Sequence, residues 1–358
     1  MNRVQVTSPG RICLFGEHQD YLGLPVIAAA ISLRIGVSGR HAAGDSVAVR
    51  LPDLREELNF PLGASGAYTS DRDYFRSGMT VLKREGLTFR RGVECTVRGN
   101  IPIAAGASSS SALVVSWIRF LGLMSDQERE FAPAETARLA HAAEVLEFGE
   151  PGGMMDHYAT SYGGLSWIGF TPSVSIESLN RPAGSFVLGD SLEPKDTKRV
   201  LHRVKTQVVD LCASLSRGDP DFSLHTVRDL QKYRRHLSPQ EERLLEGTIT
   251  NRLLTEEARE LLRAPSPDGR ALGRMLDKHQ TVLRDILGIS TPKIDRMLDA
   301  ALRSGAWGGK INGSGGGGCM FAYAPENPEA VAEAITRAGG KATLLMIDEG
   351  TRVEIDGP

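Results

Sequence analysis

Apolar and polar residues follow two different regimes along the chain. Up to about residue 180, strand-length apolar runs (Val4 to Val6, Val26 to Ser38, Val47 to Leu51, Leu87 to Val97) alternate with stretches of helical spacing (Asp71 to Glu85, Ser109 to Leu123, Pro133 to Phe148). From about residue 185 the strand Ser185 to Leu188 leads into a long helical stretch. Helices are predicted over Asp196 to Ser216, Phe222 to Arg235, Pro239 to Leu262 and Pro267 to Leu287. Strand patterns return at Trp307 to Ile311, Met320 to Tyr323 and Ala342 to Ile347, around a helix from Pro328 to Ala338. The pattern predicts two α+β lobes, residues 1–182 and 183–358, without an obvious linker. The split βαβ order of the last part suits a ferredoxin-like second lobe. The Gly63 to Ser70 stretch reads as a surface loop.

Composition narrows the function classes more than the fold. A chain of 358 residues with 41% hydrophobic residues fits about two domains with ample core. A net charge of −2 offers no basic field for nucleic acid or membrane. No apolar run approaches the ~20 residues of a membrane span, and the N-terminus lacks the apolar core of a signal peptide. Cys13, Cys95, Cys212 and Cys319 have no paired spacing, so a reducing cytoplasm is the expected setting.

Three segments rich in small residues carry the candidate chemistry: Pro9 to Tyr21, Pro102 to Ala112, and Asn312 to Cys319. The middle one runs from a strand into an apolar helix, which places Gly106, Ala107 and the four hydroxyls Ser108, Ser109, Ser110 and Ser111 at a helix N-terminus. The unpaired N–H groups and dipole there favour an anion, and phosphate is the obvious guest. An ordinary serine N-cap would look the same in sequence. No G-x-x-x-x-G-K-[ST] occurs, which excludes P-loop chemistry. The third segment contains G-x-G-x-x-G, but Met320 to Ala324 and Pro325 do not open a helix, so its glycines join two strands and a dinucleotide fold is not expected. Five glycines between Gly313 and Gly318 imply either a tight structural turn or a ligand that needs bare backbone.

These three motifs, in this order, resemble those of the GHMP kinases. S-P-G-R-I-C-L-F-G-E-H-Q-D-Y-L-G is similar to the galactokinase signature, I-P-I-A-A-G-A-S-S-S-S-A to the phosphate motif, and N-G-S-G-G-G-G-C to the third motif. Glu144, Pro151 to Asp156, and His279 to Asp295 match further galactokinase segments. The resemblance implies a ribosomal-S5-like first lobe, a ferredoxin-like second lobe, and an enzyme that uses ATP and Mg²⁺ to phosphorylate a small-molecule alcohol.

It also implies roles. Asp156 would be the catalytic aspartate and Arg11 its partner, while Ser110 and Glu144 would be Mg²⁺ ligands. Glu17, His18 and Asp20 would bind the acceptor, with Gly153 close to it. Gly106, Ala107, Ser108 to Ser111, Gly313, Gly315 and Gly316 would hold ATP. Phosphoryl transfer asks for such positioning and charge neutralisation rather than covalent work. Carboxylates and a histidine within four residues suit a polyhydroxylated acceptor. No second ligand cluster points to a resident metal in that loop. Departures are Leu22-Gly23-Leu24 for Asn-Gly-Gly, Cys13 for Asn, Gly152 for Cys, and a stretch from Gly189 to Val200 that lacks the family's sugar-contacting Tyr and looks closer to mevalonate kinases. The expected activity is a galactokinase-like sugar kinase acting on an anomeric hydroxyl of a hexose, pentose or uronic acid. A mevalonate-type kinase and a non-catalytic sensor are the alternatives. Oligomeric state is not legible.

Overall fold

The computed structural model describes residues 3–63, 66, 68–103, 105–194 and 197–356, with the backbone alone at 197 and 198. The expected helix start at Asp196, the Lys195–Asp196 part of the mevalonate-kinase-like stretch, and positions 64, 65 and 67 of the expected surface loop lie outside the described residues.

In chain order the first lobe contains β1 (Arg3–Phe15), β2 (Val26–Ala42), β3 (Ser46–Leu51), β4 (Glu56–Pro61), α1 (Tyr74–Arg84), β5 (Gly92–Gly99), α2 (Ser109–Met124), α3 (Pro133–His141), α4 (Met155–Tyr162), β6 (Leu165–Gly169) and β7 (Ser175–Ser178). The second contains β8 (Ser185–Asp190), α5 (Thr197–Gly218), α6 (Pro239–Arg263), α7 (Gly269–Thr281), α8 (Pro292–Arg303), β9 (Gly308–Ile311), β10 (Cys319–Ala324), α9 (Pro328–Arg337) and β11 (Lys341–Leu345), and the chain ends on β12 (Arg352–Asp356). The first sheet has the order β12-β1-β2-β5-β3-β4, with β6 and β7 attached through β2. The second has the order β11-β8-β10-β9, every pairing antiparallel. Numbered from β8, β9, β10 to β11 this is 4-1-3-2, the ferredoxin-like order.

The expected second lobe of 183–358 needs one correction: β12 returns to the first sheet and pairs with the start of β1, Arg3 opposite Asp356. The lobes also share a core. Ile12, Leu14 and Phe15 of β1 pack in one apolar cluster with Leu254, Ala258 and Leu262 of α6, Leu276 of α7 and Phe321 of β10. Continuous burial across the boundary explains why no linker is legible.

A second correction concerns Phe222 to Arg235, expected as a helix. The segment is a run of turns ending in the short 3₁₀ turn Arg234–His236. Its apolar residues do pack, Phe222, Leu224 and Leu230 among them. The side chains of Asp219, Ser223 and Asp229, however, each accept the backbone N–H two residues on, at 3.3, 3.2 and 3.1 Å. Such local bonds compete directly with the helical ladder. The helix resumes at Ser238, where a full capping box with Glu241 starts α6.

Two irregularities place functional side chains. The β1–β2 register shifts between Pro9 and Arg11 and again between Cys13 and Phe15, and such bulges re-aim the side chains beside them. After α3 the helix continues as a π-type turn over Ala142–Leu146, which holds Glu144. Among the described residues no helix is long and apolar enough to cross a membrane.

Candidate active site

A cavity of about 830 Å³ opens between the first motif, the start of α2, the turn holding Glu144, the start of α4 and the third glycine loop. At its centre the bulged strand β1 delivers Arg11 to Asp156, in the first turn of α4. Arg11 Nε and Nη2 donate to Asp156 Oδ1 and Oδ2 at 2.8 and 2.9 Å, a bidentate pair. Nη1 donates to the Gly106 carbonyl at 2.6 Å, and the Arg11 N–H reaches the Ala107 carbonyl at 3.2 Å. Burial alone would push the Asp156 carboxyl up, but the Arg11 charge and the hydrogen bonds from Ser108 and Arg11 hold it below the usual range. Its side chain keeps 27% exposure, so the carboxylate stays ionised with one face open to the cavity.

Ser108 speaks against the ordinary-cap reading of the phosphate motif. It stands at the N-cap of α2 with a left-handed φ of 62° and makes no side-chain cap bond. Its hydroxyl instead donates to Asp156 Oδ2 at 2.7 Å. The ordinary serine cap is therefore absent, and the first N–H groups of α2 are not satisfied by that side chain. A non-glycine residue in the left-handed region costs on the order of 1–2 kcal/mol, strain of the kind concentrated at functional sites.

Asp20 sits beside this pair. Its Oδ1 accepts from the Tyr21 N–H at 2.9 Å and its Oδ2 from the Met155 N–H at 3.2 Å. Burial, and then the nearby Asp156 charge, raise its pKa against those two bonds. Gly153 explains the close fit, because a Cβ there would stand 2.0 Å from Asp20 Oδ2. Gly153, expected near the acceptor, thus lies against Asp20 and lines the same cavity. Glu144 and Ser110 both line the cavity, and Glu144 Oε2 is held by His157 Nε2 at 2.8 Å.

Not every expected residue faces the cavity. Gly106, Ser108, Ser109, Ser110, Ser111 and Gly313 line it, whereas Ala107, Gly315 and Gly316 do not. A Cβ on Gly315 would meet the Ile289 carbonyl and Cβ at 2.6 Å, and the Gly316 N–H is taken by the same carbonyl at 2.7 Å. Ala107 is fully buried under β1. Sequence reasoning missed Lys310, whose buried ammonium pairs with Glu17, and Asn312, whose amide accepts from the Cys13 N–H and donates to the Gly106 carbonyl, both at 2.9 Å. Neither carries a local signal: each is a single polar residue in a short buried strand or at its end.

Charge across the lining is uneven. Among the described lining residues Arg11 and Arg72 face seven carboxylates, and no lysine is present. Both guanidiniums are already paired, Arg11 with Asp156 and Arg72 with Glu150 at 2.6 Å. At another part of the wall, Ile35, Leu51, Val97, Ile101 and Leu113 form an aliphatic surface, with Leu54 and Ile103 exposed.

Three family profiles match along the chain: the galactokinase galactose-binding signature over residues 2–41, the GHMP kinases N terminal domain over 73–164 and the GHMP kinases C terminal domain over 258–341. A mevalonate kinase of Thermococcus sibiricus is 30% identical over 373 residues and covers 98% of each chain. A galactokinase of Haemophilus influenzae is 25% identical, covering 90% of this chain and 86% of that one. The crystal structure of Lactococcus lactis galactokinase complexed with galactose superposes with a TM-score of 0.85 at 20% identity, over 98% of this chain and 95% of that one.

Proposed function

The chain belongs to the GHMP kinase family, phosphotransferases with an alcohol acceptor, and on that premise we propose that it transfers the γ-phosphoryl group of Mg·ATP to the anomeric hydroxyl of a neutral sugar. The observation that carries the reading is the charge of the cavity. With both lining guanidiniums engaged by carboxylates, the described lining offers an anionic acceptor such as mevalonate or a uronic acid no unengaged cation, and Lys205, over the Tyr21 ring, has its ammonium on the Pro151 carbonyl at 3.3 Å. Asp20, with each oxygen bound by one backbone N–H, keeps lone pairs for the hydroxyls of a polyol. The match to a galactose-binding signature over residues 2–41 supports the same class.

In this reading the start of α2 receives the phosphates through its backbone N–H groups and the Ser109 to Ser111 hydroxyls, and the aliphatic wall takes the base. Glu144 and Ser110 supply oxygen donors that fit Mg²⁺. Among the described residues no cluster of three or more acidic, histidine or cysteine side chains could hold a metal ion. When bound, the ion neutralises phosphate charge. Asp156 orients the acceptor hydroxyl and accepts its proton late, which a weakly basic carboxylate can do in a loose transition state. Arg11 holds that carboxylate and offsets charge on the moving group.

A second reading, a mevalonate-type kinase, draws on the 30% identical relative. An ADP-release assay with Mg·ATP against galactose, arabinose, glucuronate, galacturonate and mevalonate separates them. A neutral sugar should be turned over, and Asp156→Asn should lower that turnover by orders of magnitude. Turnover of mevalonate alone would overturn the proposal.

A further inference from the structure

The first motif ties its G-E-H-Q-D loop to the second lobe, although Glu17, His18 and Asp20 are all part of the cavity lining. Glu17 is 1% exposed. Its Oε1 pairs with Lys310, itself fully buried on β9. Lys310 also donates to the carbonyls of Cys13 at 2.8 Å and Ile311 at 3.0 Å, so all three of its protons are placed. The Glu17 carbonyl accepts from Asn251 Nδ2 of α6 at 3.1 Å. On the other side Glu17 Oε2 lies 3.9 Å from His279 Nε2 of α7, and both atoms are buried without a hydrogen-bond partner. His279 is stacked on Phe15 and kept neutral by burial and by the Lys310 charge. His18 extends the attachment, with Nδ1 on the Tyr21 hydroxyl at 2.8 Å and Nε2 on the Ser314 carbonyl of the third loop at 3.1 Å.

We propose that Glu17 is a positioning residue and not an acceptor contact: its buried pair with Lys310 pins the acceptor loop to the second lobe and leaves acceptor recognition in this motif to Asp20. The identity of the acceptor rests on the function proposed above, but the latch does not. A carboxylate that must neutralise a buried ammonium cannot turn to a sugar without stranding that charge. Asp20, by contrast, accepts from two backbone N–H groups and lines the cavity close enough to Asp156 to feel its charge.

The test is a double-mutant cycle read by melting temperature and by sugar KM. Glu17→Gln and Lys310→Met each strand one partner, so each should lower the melting temperature and raise the sugar KM together, without reordering the sugars accepted. The double variant Glu17→Gln/Lys310→Met removes both charges and should recover part of both losses, a coupling that two independent residues would not show. Asp20→Asn should instead raise the sugar KM roughly tenfold or more with little loss of melting temperature. The proposal is overturned if Glu17→Gln raises the sugar KM at an unchanged melting temperature while Lys310→Met leaves KM alone. If the unmodified chain turns over no sugar, the functional reading fails. The latch is then still decided by melting temperature, where recovery in the double variant supports it and simple additivity refutes it.

Discussion

In the loop Gly106–Ser111 the small residues leave backbone and hydroxyls facing the cavity, while in the loop Gly313–Gly318 most of them let one backbone pass another. Gly315 packs on Ile289, Gly318 would place a Cβ 2.5 Å from the Ala105 carbonyl, and the Cys319 N–H bonds that same carbonyl at 2.6 Å. A run of small residues therefore has two physical meanings here. In one loop bare backbone faces the cavity, and in the other it packs against its own lobe at Ile289 and Val200 and against the first lobe at Ala105. Ser108 marks the difference: it accepts a left-handed conformation so that its hydroxyl reaches Asp156.

The sharpest way to test the comparison is to remove the chemistry that the first loop supports. Asp156→Asn should lower kcat by roughly 10²–10⁴-fold, the usual range for a positioned acid or base, while ATP still binds. Near-normal turnover would detach the Ser108–Asp156–Arg11 knot from catalysis.

Next in size is a contrast between two glycines of the same loop. Gly315 has a φ of 76°, and a side chain there runs into the Ile289 backbone, so Gly315→Val should cost about 3 kcal/mol or more of stability. Gly313 has a φ of 75° but lines the cavity, and a Cβ would stand 3.0 Å from the Gly106 carbonyl and 3.5 Å from Arg11. Gly313→Ala should therefore raise the KM for ATP more than it lowers the melting temperature. If Gly315→Val moves the ATP KM and spares stability, the division between cavity glycine and packing glycine is wrong. A smaller effect, a roughly threefold to tenfold rise in the Mg²⁺ needed for half-maximal rate, is expected for Ser110→Ala, since phosphates and water supply most of the ion's ligands.

What the sequence made legible follows the same divide. Arg11, Ser108, Asp20, Glu144 and Asp156 sit in contiguous motifs whose spacing reports a helix start or a turn, and all of them line one cavity. Lys310 and His279 were not legible as partners of Glu17, because each lies about 260 residues or more away from it along the chain and burial of a charge leaves no local pattern. Gly315 and Gly316 were read as ligand contacts since nothing in five glycines says what presses on them. At the level of the fold, α2, α6 and the split βαβ ending came from apolar periodicity. β4, α4, β6, β7, α8 and β12 were not predicted; β12, for one, is a short edge strand with mostly polar faces, recognisable only once β1 is beside it. Periodicity misread 222–235 because apolar spacing cannot report that Asp219, Ser223 and Asp229 bind the backbone first.

The smallest expected effect separates the two neighbouring carboxylates by the sign of their titration. Asp156 has its folded pKa depressed, so its contribution to stability is present above the unfolded value near 3.9 and is lost as pH falls through the lower folded value. Asp20 has its folded pKa raised by burial and by the Asp156 charge, so it destabilises the folded chain above that raised value, and the penalty is relieved as pH falls toward the unfolded one. Melting temperatures of the parent, Asp20→Asn and Asp156→Asn should therefore diverge on acidification. The gap between parent and Asp20→Asn moves in favour of the parent, beginning at the higher pH, while the gap between parent and Asp156→Asn moves against it at the lower. Their charges interact, and if both gaps shift together with one apparent pKa the two groups titrate as a unit. Asp20 could then no longer be assigned to acceptor binding apart from the proton transfer at Asp156.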